Sequence, residues 1–305
     1  MRDIFVDTLL ELARADRRIM LITGDLGFGV LDKFCRELPS QYINAGVAEQ
    51  NMTGLAAGMA LEGKVVFTYS IANFPTFRCL EQIRNDVIYH NANVKIVAIG
   101  GGLSYGALGM SHHATEDVGI MRVLPEIRVY APCDGTEARA LTAQMVTEPG
   151  PCYLRLDKSQ ISQAACEDYV PGTLRCLRRG TDVAILGYGG ILDEALKSAE
   201  QLSKDGIECA VYSAHTLKPF DAATLLRLAR EMPALVTIEE HVRTGGLGSL
   251  VADVLLDAGV MPQRLRRIAL PDAHSSIVGS QEYLRTRLQV DSTTVVRAIR
   301  ELIAT

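Results

Sequence analysis

Residues Val94-Lys-Ile-Val-Ala-Ile99 form a short run rich in β-branched side chains, which is typical of a buried strand. Similar runs occur before and after it in the sequence, and longer amphipathic segments separate them. A mostly parallel sheet covered by helices requires this alternation. The strands predicted for the first half of the chain are residues 19–23, 65–69, 94–99, 127–130 and 152–156. A helix is predicted at Asp134-Gly-Thr-Glu137, where the Asp134 side chain can cap the N-terminus of the helix and the Glu137 side chain can accept a hydrogen bond from the backbone before it.

The periodic pattern is lost after about residue 159 and returns near residue 181. We therefore predict a first domain over 1–160, a linker over 161–180 and a second domain over 181–305. Strands are predicted in the second domain at 183–186, 208–212, 235–238 and 267–270, and helices at 191–204, 221–231, 246–258 and 292–303. The predicted fold class is α/β, with two domains that each contain a mostly parallel sheet covered by helices.

Composition excludes several classes of function. The chain has 305 residues, of which 48% are hydrophobic, and its formal net charge is −5. The basic residues are scattered, so nucleic acid is not predicted as a partner. No apolar stretch approaches the ~18 residues of a membrane span, and we predict a soluble, cytoplasmic protein without membrane contact. The seven cysteines form no Cys-x-x-Cys pair, which predicts reduced thiols.

The segment Tyr42-Ile-Asn-Ala-Gly46-Val-Ala-Glu49-Gln50-Asn-Met-Thr-Gly54-Leu-Ala-Ala-Gly58 is the most informative for function. Its small residues would let a helix approach another backbone closely, and Glu49 lies in or just before the first turn of that helix. From helix physics alone, Glu49 is a glutamate that complements the helix dipole or caps the helix. A carboxyl group at this point can also face a cleft, so both interpretations stay open.

The string Gly46-Val-Ala-Glu49-Gln50 resembles the signature of the pyrimidine-binding domain of transketolases and of the related deoxyxylulose-phosphate synthases. The resemblance continues in a fixed order, which makes it more specific than any single motif. Further matching segments are residues 70–74, 78–85, 109–117, 131–134, 150–155 and 237–248. The chain is thus similar to the C-terminal half of a transketolase, namely its pyrimidine-binding domain followed by its C-terminal domain.

This resemblance implies the cofactor thiamine diphosphate. In that family the glutamate at the position of Glu49 hydrogen-bonds the ring nitrogen N1′ of the aminopyrimidine, and proton sharing there helps the cofactor lose its C2 proton. Phe74 matches the aromatic residue that stacks on the aminopyrimidine, although a core phenylalanine is the ordinary alternative. The other cofactor contacts implied are Asp25, Ile71, Phe77 and Arg78. For Asp25, a turn aspartate is an equal alternative.

Substrate contacts are implied at four positions. His112 aligns with a catalytic histidine that contacts the donor ketose, and His113 stands where many relatives carry glutamine. At the far end of the cleft are Arg155, near the end of the predicted strand 152–156, and Lys158, which follows that strand. Lys158 replaces an arginine that holds phosphate in relatives, and a lysine offers a point charge instead of a bidentate fork. Structural histidines and an ordinary surface lysine are the alternatives.

The sequence also departs from the family. Leu108 stands where relatives carry an acid that reads an acceptor hydroxyl, and a substrate-binding histidine is absent around Gly100–Gly102. No Gly-Asp-Gly motif occurs, so no metal ligand is predicted in this chain. The resemblance then implies that the diphosphate and Mg²⁺ are held by a large partner subunit, in an assembly of two large and two small subunits.

The predicted function is that of the small subunit of a split transketolase. Such an enzyme is a transferase of carbohydrate metabolism that moves a two-carbon ketol unit from a ketose or ketose phosphate to an aldehyde acceptor. Its substrates would be sugars or sugar phosphates. The alternatives are the β subunit of a 2-oxoacid dehydrogenase, an enzyme similar to deoxyxylulose-phosphate synthase, and a homologue without catalytic activity.

Overall fold

The structure, a computed structural model, describes residues 1–161 and 169–304. The strands are β1 (Ile19–Thr23), β2 (Tyr42–Asn44), β3 (Val65–Ile71), β4 (Val94–Ile99), β5 (Arg128–Tyr130), β6 (Cys152–Leu156), β7 (Arg175–Arg178), β8 (Val183–Gly187), β9 (Cys209–Ser213), β10 (Thr216–Lys218), β11 (Ala234–Val242) and β12 (Leu265–Leu270). The helices are α1 (Arg2–Ala15), α2 (Asp32–Glu37), α3 (Glu49–Leu61), α4 (Leu80–Gln82), α5 (Asp117–Val123), α6 (Gly135–Thr147), α7 (Leu192–Ser203), α8 (Ala222–Glu231), α9 (Leu247–Asp257), α10 (Gln281–Arg287) and α11 (Ser292–Ala304).

The first sheet has the strand order β10-β5-β6-β4-β3-β1-β2, and its pairings are parallel except for that between β10 and β5. From β1 the chain moves outward to β2, and from β3 it moves in the opposite direction to β4. The order therefore reverses between β1 and β3. Ligands of open α/β sheets bind outside the carboxyl ends of the strands at such a reversal. The loops that follow β1, β2, β3 and β4 all lie at the carboxyl ends of the strands, at this edge of the sheet.

The second sheet has the order β12-β11-β8-β9-β7, and only its β7–β9 pairing is antiparallel. Two mostly parallel sheets flanked by helices confirm the predicted fold class. The cap predicted at the start of α6 is also confirmed. Asp134 accepts a hydrogen bond from the Glu137 backbone N–H at 2.8 Å, and Glu137 accepts one from the Cys133 backbone N–H at 2.8 Å.

Three short strands were absent from the sequence prediction. β2 and β10 have three residues each and β7 has four, which is too short to show a hydrophobic period. β7 lies inside the predicted linker 161–180, of which residues 162–168 fall outside the described residues. β10 returns from the second half of the chain and pairs with β5, and so covers what would otherwise be a free edge of the first sheet.

Six cysteines are free thiols, at positions 35, 79, 133, 152, 176 and 209. Cys166 lies outside the described residues. Among the helices that the structure describes, none is both long enough and apolar enough to cross a bilayer.

Candidate active site

Glu49 is the first residue of α3, and its side chain is 2% exposed. Nη1 of Arg78 donates a hydrogen bond to Glu49 Oε2 at 2.7 Å, while the Arg78 side chain is 47% exposed. The loop after β1 approaches closely, since a Cβ atom on Gly24 would lie 3.3 Å from Cγ of Glu49. A carboxylate at a helix N-terminus is favoured by the helix dipole, and its burial is tolerated because it is paired. Glu49 is thus a buried acid, and Arg78, the cation paired with it, faces solvent.

Arg78 also connects Glu49 to an aromatic surface. Its guanidinium carbon lies 4.7 Å from the centroid of the Phe74 ring, which is cation–π geometry. The His112 ring lies edge-on to Phe74, with the two ring centroids 5.3 Å apart. The structure thereby brings together four of the residues that the sequence predicted for the site: Glu49, Phe74, Arg78 and His112.

Hydrogen bonds between Asp25 and Asn44 connect the loop after β1 with the end of β2. Asp25 adopts a left-handed conformation with φ of 58°, and Nδ2 of Asn44 donates to its carboxylate at 2.9 Å. The Asn44 side-chain oxygen accepts in return from the backbone N–H groups of Asp25 at 3.0 Å and Gly46 at 2.9 Å. A turn aspartate tolerates this left-handed conformation, while the side chain that accepts from the backbone two residues further on is that of Asn44. Sequence reasoning missed Asn44, whose only signal was its place just before the Gly46-Val-Ala-Glu49 string.

The two adjacent histidines have different surroundings. His113 is buried and its Nε2 lies 3.2 Å from the Gly106 carbonyl oxygen, whereas His112 is half-buried with its Nδ1 3.0 Å from Ser111 Oγ. Burial, and secondarily the neighbouring His113, lower the pKa of His112 below its usual value. Neutral imidazole is therefore the main form of His112 at neutral pH.

Asn73 holds the histidines against the segment that carries Phe74. Its Nδ2 donates to the carbonyl oxygens of Ser111 at 2.9 Å and His113 at 2.8 Å. The sequence placed Asn73 inside a family motif but gave no indication of this bridging role. The position of His112 beside Phe74 thus depends on an amide that spans the loops after β3 and β4.

A cavity of about 370 Å³ lies between the two domains, next to this cluster. Phe77, which the sequence predicted as a cofactor contact, lines this cavity, whereas Ile71 lines a separate hollow of about 200 Å³ beside Tyr105. Other residues that line the interdomain cavity include Phe74, Arg78, Met110, His113, Leu270, Pro271 and His274. Phe74 and Arg78 therefore connect the surroundings of Glu49 with the interdomain cavity.

Arg155 does not reach the cleft. It is 1% exposed, and its guanidinium donates to Asp117 at 3.0 Å and to Asp157 at 3.1 Å, with Tyr188 packed against it. The sequence-based assignment of Arg155 to substrate does not fit this burial. The reason is that β6 is buried along its whole length, so a side chain on it points into the interior rather than into the cleft.

Lys158, by contrast, remains exposed, and its Nζ lies 3.6 Å from the centroid of the Tyr105 ring. Partial burial, with a smaller contribution from Arg2, lowers the pKa of Lys158. Tyr105 in turn lies 6.3 Å from the His112 ring, centroid to centroid. Lys158 is thus a cation within reach of the surface on which His112 lies.

One group of described residues is spaced closely enough to ligate a metal, namely Cys133, Asp134 and Glu137. Arg175 already donates to Asp134 at 2.8 Å and to Glu137 at 3.2 Å. Desolvation by burial raises the pKa of Glu137. The cluster is therefore best explained as a buried ion pair that supports the start of α6.

Two family models cover most of the chain. The transketolase pyrimidine-binding domain matches residues 1–163, and the transketolase C-terminal domain matches residues 172–292. The chain belongs to the transketolase family. The Glu49 cluster described above lies in the pyrimidine-binding domain of this transketolase-family chain.

Its relatives include single subunits of transketolases. It is 38% identical to the 6-deoxy-6-sulfo-D-fructose transketolase subunit of Clostridium sp. over 99% of this chain and 94% of that one. It is 37% identical to a subunit of the apulose-4-phosphate transketolase of Phocaeicola vulgatus over 89% of this chain and 87% of that one. A solved split-gene transketolase, described as an inactive β4 tetramer, superimposes with a TM-score of 0.90 at 33% identity over 99% and 98% of the two chains.

Proposed function

We propose that this chain is the small subunit of a split transketolase that uses thiamine diphosphate to transfer a two-carbon ketol unit from a ketose or ketose phosphate to an aldehyde acceptor. The observation that carries the proposal is the buried Glu49 carboxyl group beside the exposed Arg78 guanidinium and the Phe74 ring. The relatives named as transketolase subunits support the same class of reaction.

The donor set fits an aminopyrimidine, which is a flat aromatic ring with a basic ring nitrogen. Glu49 would share a proton with ring nitrogen N1′, and Phe74 would pack against the ring. Arg78 would have to give up part of its contact with Glu49, which its exposure permits. When bound, thiamine diphosphate supplies the carbon nucleophile that accepts and passes on the ketol unit. His112, as a neutral imidazole, would hydrogen-bond a hydroxyl group of the donor sugar.

Four exposed apolar residues lie at the same sheet edge as Glu49 and support a docking surface for a larger partner subunit. We call them the apolar rim, and they are Phe28, Val47, Leu108 and Met110, whose exposed fractions are 77%, 75%, 55% and 55%. These residues lie in the loops after β1, β2 and β4, at the same sheet edge as Glu49. Clustered exposed apolar side chains of this kind are typical of protein interaction sites. The partner would supply the diphosphate and Mg²⁺ site.

The proposal predicts that the isolated chain is inactive and binds thiamine diphosphate with Mg²⁺ weakly. The solved relative that is described as an inactive β4 tetramer supports this expectation. Titration calorimetry should show tight, Mg²⁺-dependent binding only after the partner subunit is added. Tight binding to this chain alone would contradict the proposal. Light scattering of the active complex should give two large and two small subunits.

A matched pair of variants tests the apolar rim. Val47→Asp places a charge in the rim, whereas Val123→Asp places one at the end of α5, which leads away from that sheet edge toward β5. The two valines are 75% and 77% exposed, so neither change should unfold the chain. We expect Val47→Asp to weaken partner binding at least tenfold and Val123→Asp to leave it unchanged. Equal behaviour of the two variants would remove the rim from the interface.

A further inference from the structure

The loop that carries the histidines is supported by the second domain. We call residues 100–115 the histidine loop. The Leu103 backbone N–H donates to Glu240 Oε2 at 2.8 Å, near the start of the loop. The Gly279 N–H donates to the Gly106 carbonyl at 3.3 Å, and the Val242 N–H donates to the Thr115 carbonyl at 2.9 Å. The second domain therefore contacts the loop near its start, in its middle and at its end.

The start of the loop packs so closely against Glu240 and Arg155 that a side chain would not fit at Gly101 or Gly102. A Cβ atom on Gly102 would lie 2.3 Å from Glu240 Oε2, and one on Gly101 would lie 2.0 Å from Nε of Arg155. Gly102 also has φ of +61°, which favours glycine. Gly102 therefore lies in the contact between the domains, and neither Gly101 nor Gly102 leaves room for a side chain.

Glu240 is itself held rigidly. Its side chain is 1% exposed, and Arg285 on α10 donates to its Oε1. Nε2 of Gln281 donates to both carboxylate oxygens, at 3.1 and 3.0 Å, and lies 3.5 Å from Oγ of Ser104 in the loop. The Glu240 backbone carbonyl accepts from Arg155 at 3.3 Å. Both oxygens of the carboxylate thus have donors, one of which is the backbone of the histidine loop.

The preceding residue provides a natural contrast. Glu239 is also fully buried on β11, but adjacent residues of a strand point to opposite faces. Its carboxylate accepts from the backbone N–H groups of Leu247 at 2.6 Å and Gly248 at 2.8 Å, at the start of α9. Glu239 therefore stabilises a helix of its own domain, whereas Glu240 reaches the loop of the other domain.

We propose that Glu240 is a positioning residue for ketol transfer, through which the second domain fixes the histidine loop and the orientation of His112. This inference rests on the proposed function. Small displacements of a group that contacts substrate reduce the rate strongly, even when the change lies far from the reacting atoms. Replacing Glu240 by Gln keeps the size of the side chain but exchanges one acceptor oxygen for an NH₂ donor. That donor would face either the Leu103 N–H or Arg285.

The test compares Glu240→Gln with Glu239→Gln in the complex with the partner subunit. We expect Glu240→Gln to lower kcat for ketol transfer about 10- to 100-fold and to shift the acidic limb of its pH profile, because the surroundings of His112 change. Glu239→Gln should lower the melting temperature without either effect. Exchange of the cofactor C2 proton should stay at the wild-type rate in both variants, because neither residue contacts Glu49.

Wild-type kcat and an unchanged pH profile in a folded Glu240→Gln complex would overturn the inference. If that variant does not fold, Gln281→Leu decides the question, because it removes a donor to Glu240 and the contact with Ser104 while leaving the charges in place. A several-fold loss of kcat in Gln281→Leu supports positioning, and wild-type kcat overturns it. Absence of ketol transfer by the wild-type complex would instead refute the proposed function, so the two failures are distinguishable.

Discussion

Two arginines at the same end of the first sheet pair with buried carboxylates, Arg155 with two and Arg78 with one, and the two arginines differ in exposure. Arg155 is 1% exposed and pairs with Asp117 and Asp157, whose side chains are 0% and 2% exposed. Arg78 is 47% exposed and pairs with Glu49, which is 2% exposed. Arg155 is enclosed together with its two partners, whereas nearly half of the Arg78 side chain is exposed to solvent. Under the proposed function, Arg78 is therefore the cation that moves away from its acid when the cofactor binds.

Replacing each arginine by methionine should have different effects on stability. Arg155→Met leaves two carboxylates buried without a cation, which should cost about 3–5 kcal/mol of unfolding free energy. Arg78→Met leaves the Glu49 carboxyl group without its partner, but the helix dipole at the start of α3 still stabilises a negative charge there, so the cost should be smaller, about 1–3 kcal/mol. Chemical denaturation of the two variants measures both values. Similar losses in the two variants would show that exposure does not distinguish the clusters.

The two adjacent histidines differ in exposure in the same way, since His113 is buried and His112 is half-buried. His112→Asn should lower kcat/KM about 10- to 100-fold, because losing one hydrogen bond to substrate costs about 1–3 kcal/mol, while stability is nearly unchanged. His113→Asn should instead destabilise the fold by about 1 kcal/mol through loss of the contact with Gly106. Steady-state kinetics and thermal melting of both variants check this. The opposite pattern would make His113 the residue that contacts substrate.

The pH dependence of kcat/KM is a further test of whether His112 contacts the substrate. Burial disfavours the charged form of His112, so its pKa lies below the usual value of 6.5. Activity that needs the neutral imidazole is then retained as the pH falls through 6.5, and is lost only through the lowered pKa. In His113→Asn the acidic limb of kcat/KM should move to higher pH, because a neighbour that lowers the pKa is removed. An unchanged limb in that variant would contradict the coupling of the two histidines.

The smallest effect is expected at Lys158, the exposed cation that follows β6. We expect weak use of ordinary pentose phosphate acceptors, because a lysine cannot form a bidentate contact with phosphate. In addition, Leu108 has no polar group that could hydrogen-bond an acceptor hydroxyl. Lys158→Arg should improve kcat/KM for a phosphorylated aldehyde about tenfold, or roughly 1.4 kcal/mol, and Lys158→Met should lower it. Efficient transfer from xylulose 5-phosphate to ribose 5-phosphate by the wild-type complex would contradict this expectation.

The sequence predicted those features that depend on local pattern or on motifs. Nine of the twelve strands in the part of the chain that the structure describes were visible as β-branched runs, and the cap at Asp134 followed from residue spacing. Glu49, Phe74, Arg78 and His112 were chosen from motifs separated by up to 63 positions, and the fold brings them together. Parallel sheets collect the loops at the carboxyl ends of their strands, which is why separate motifs converge.

The features that the sequence did not predict depend on tertiary contacts. Whether Arg155 faces the cleft or the core is decided by Asp117 and Asp157, and nothing in the residue itself distinguishes the two environments. The pairing of β10 with β5 across the two halves of the chain leaves no periodic signal. The interdomain hydrogen bond from Leu103 to Glu240 links residues 137 positions apart.

The proposed role of Glu49 in activating the cofactor is tested most directly by the rate of C2 hydrogen–deuterium exchange of bound thiamine diphosphate in Glu49→Gln. Glutamine keeps the size of the side chain but cannot share an acidic proton, so exchange should slow by about 10²–10⁴ in the complex with the partner subunit. The melting temperature should change little, and Glu62→Gln, at the exposed far end of α3, should exchange at the wild-type rate. Exchange at the wild-type rate in Glu49→Gln, with a loss of stability alone, would show that Glu49 only supports the helix.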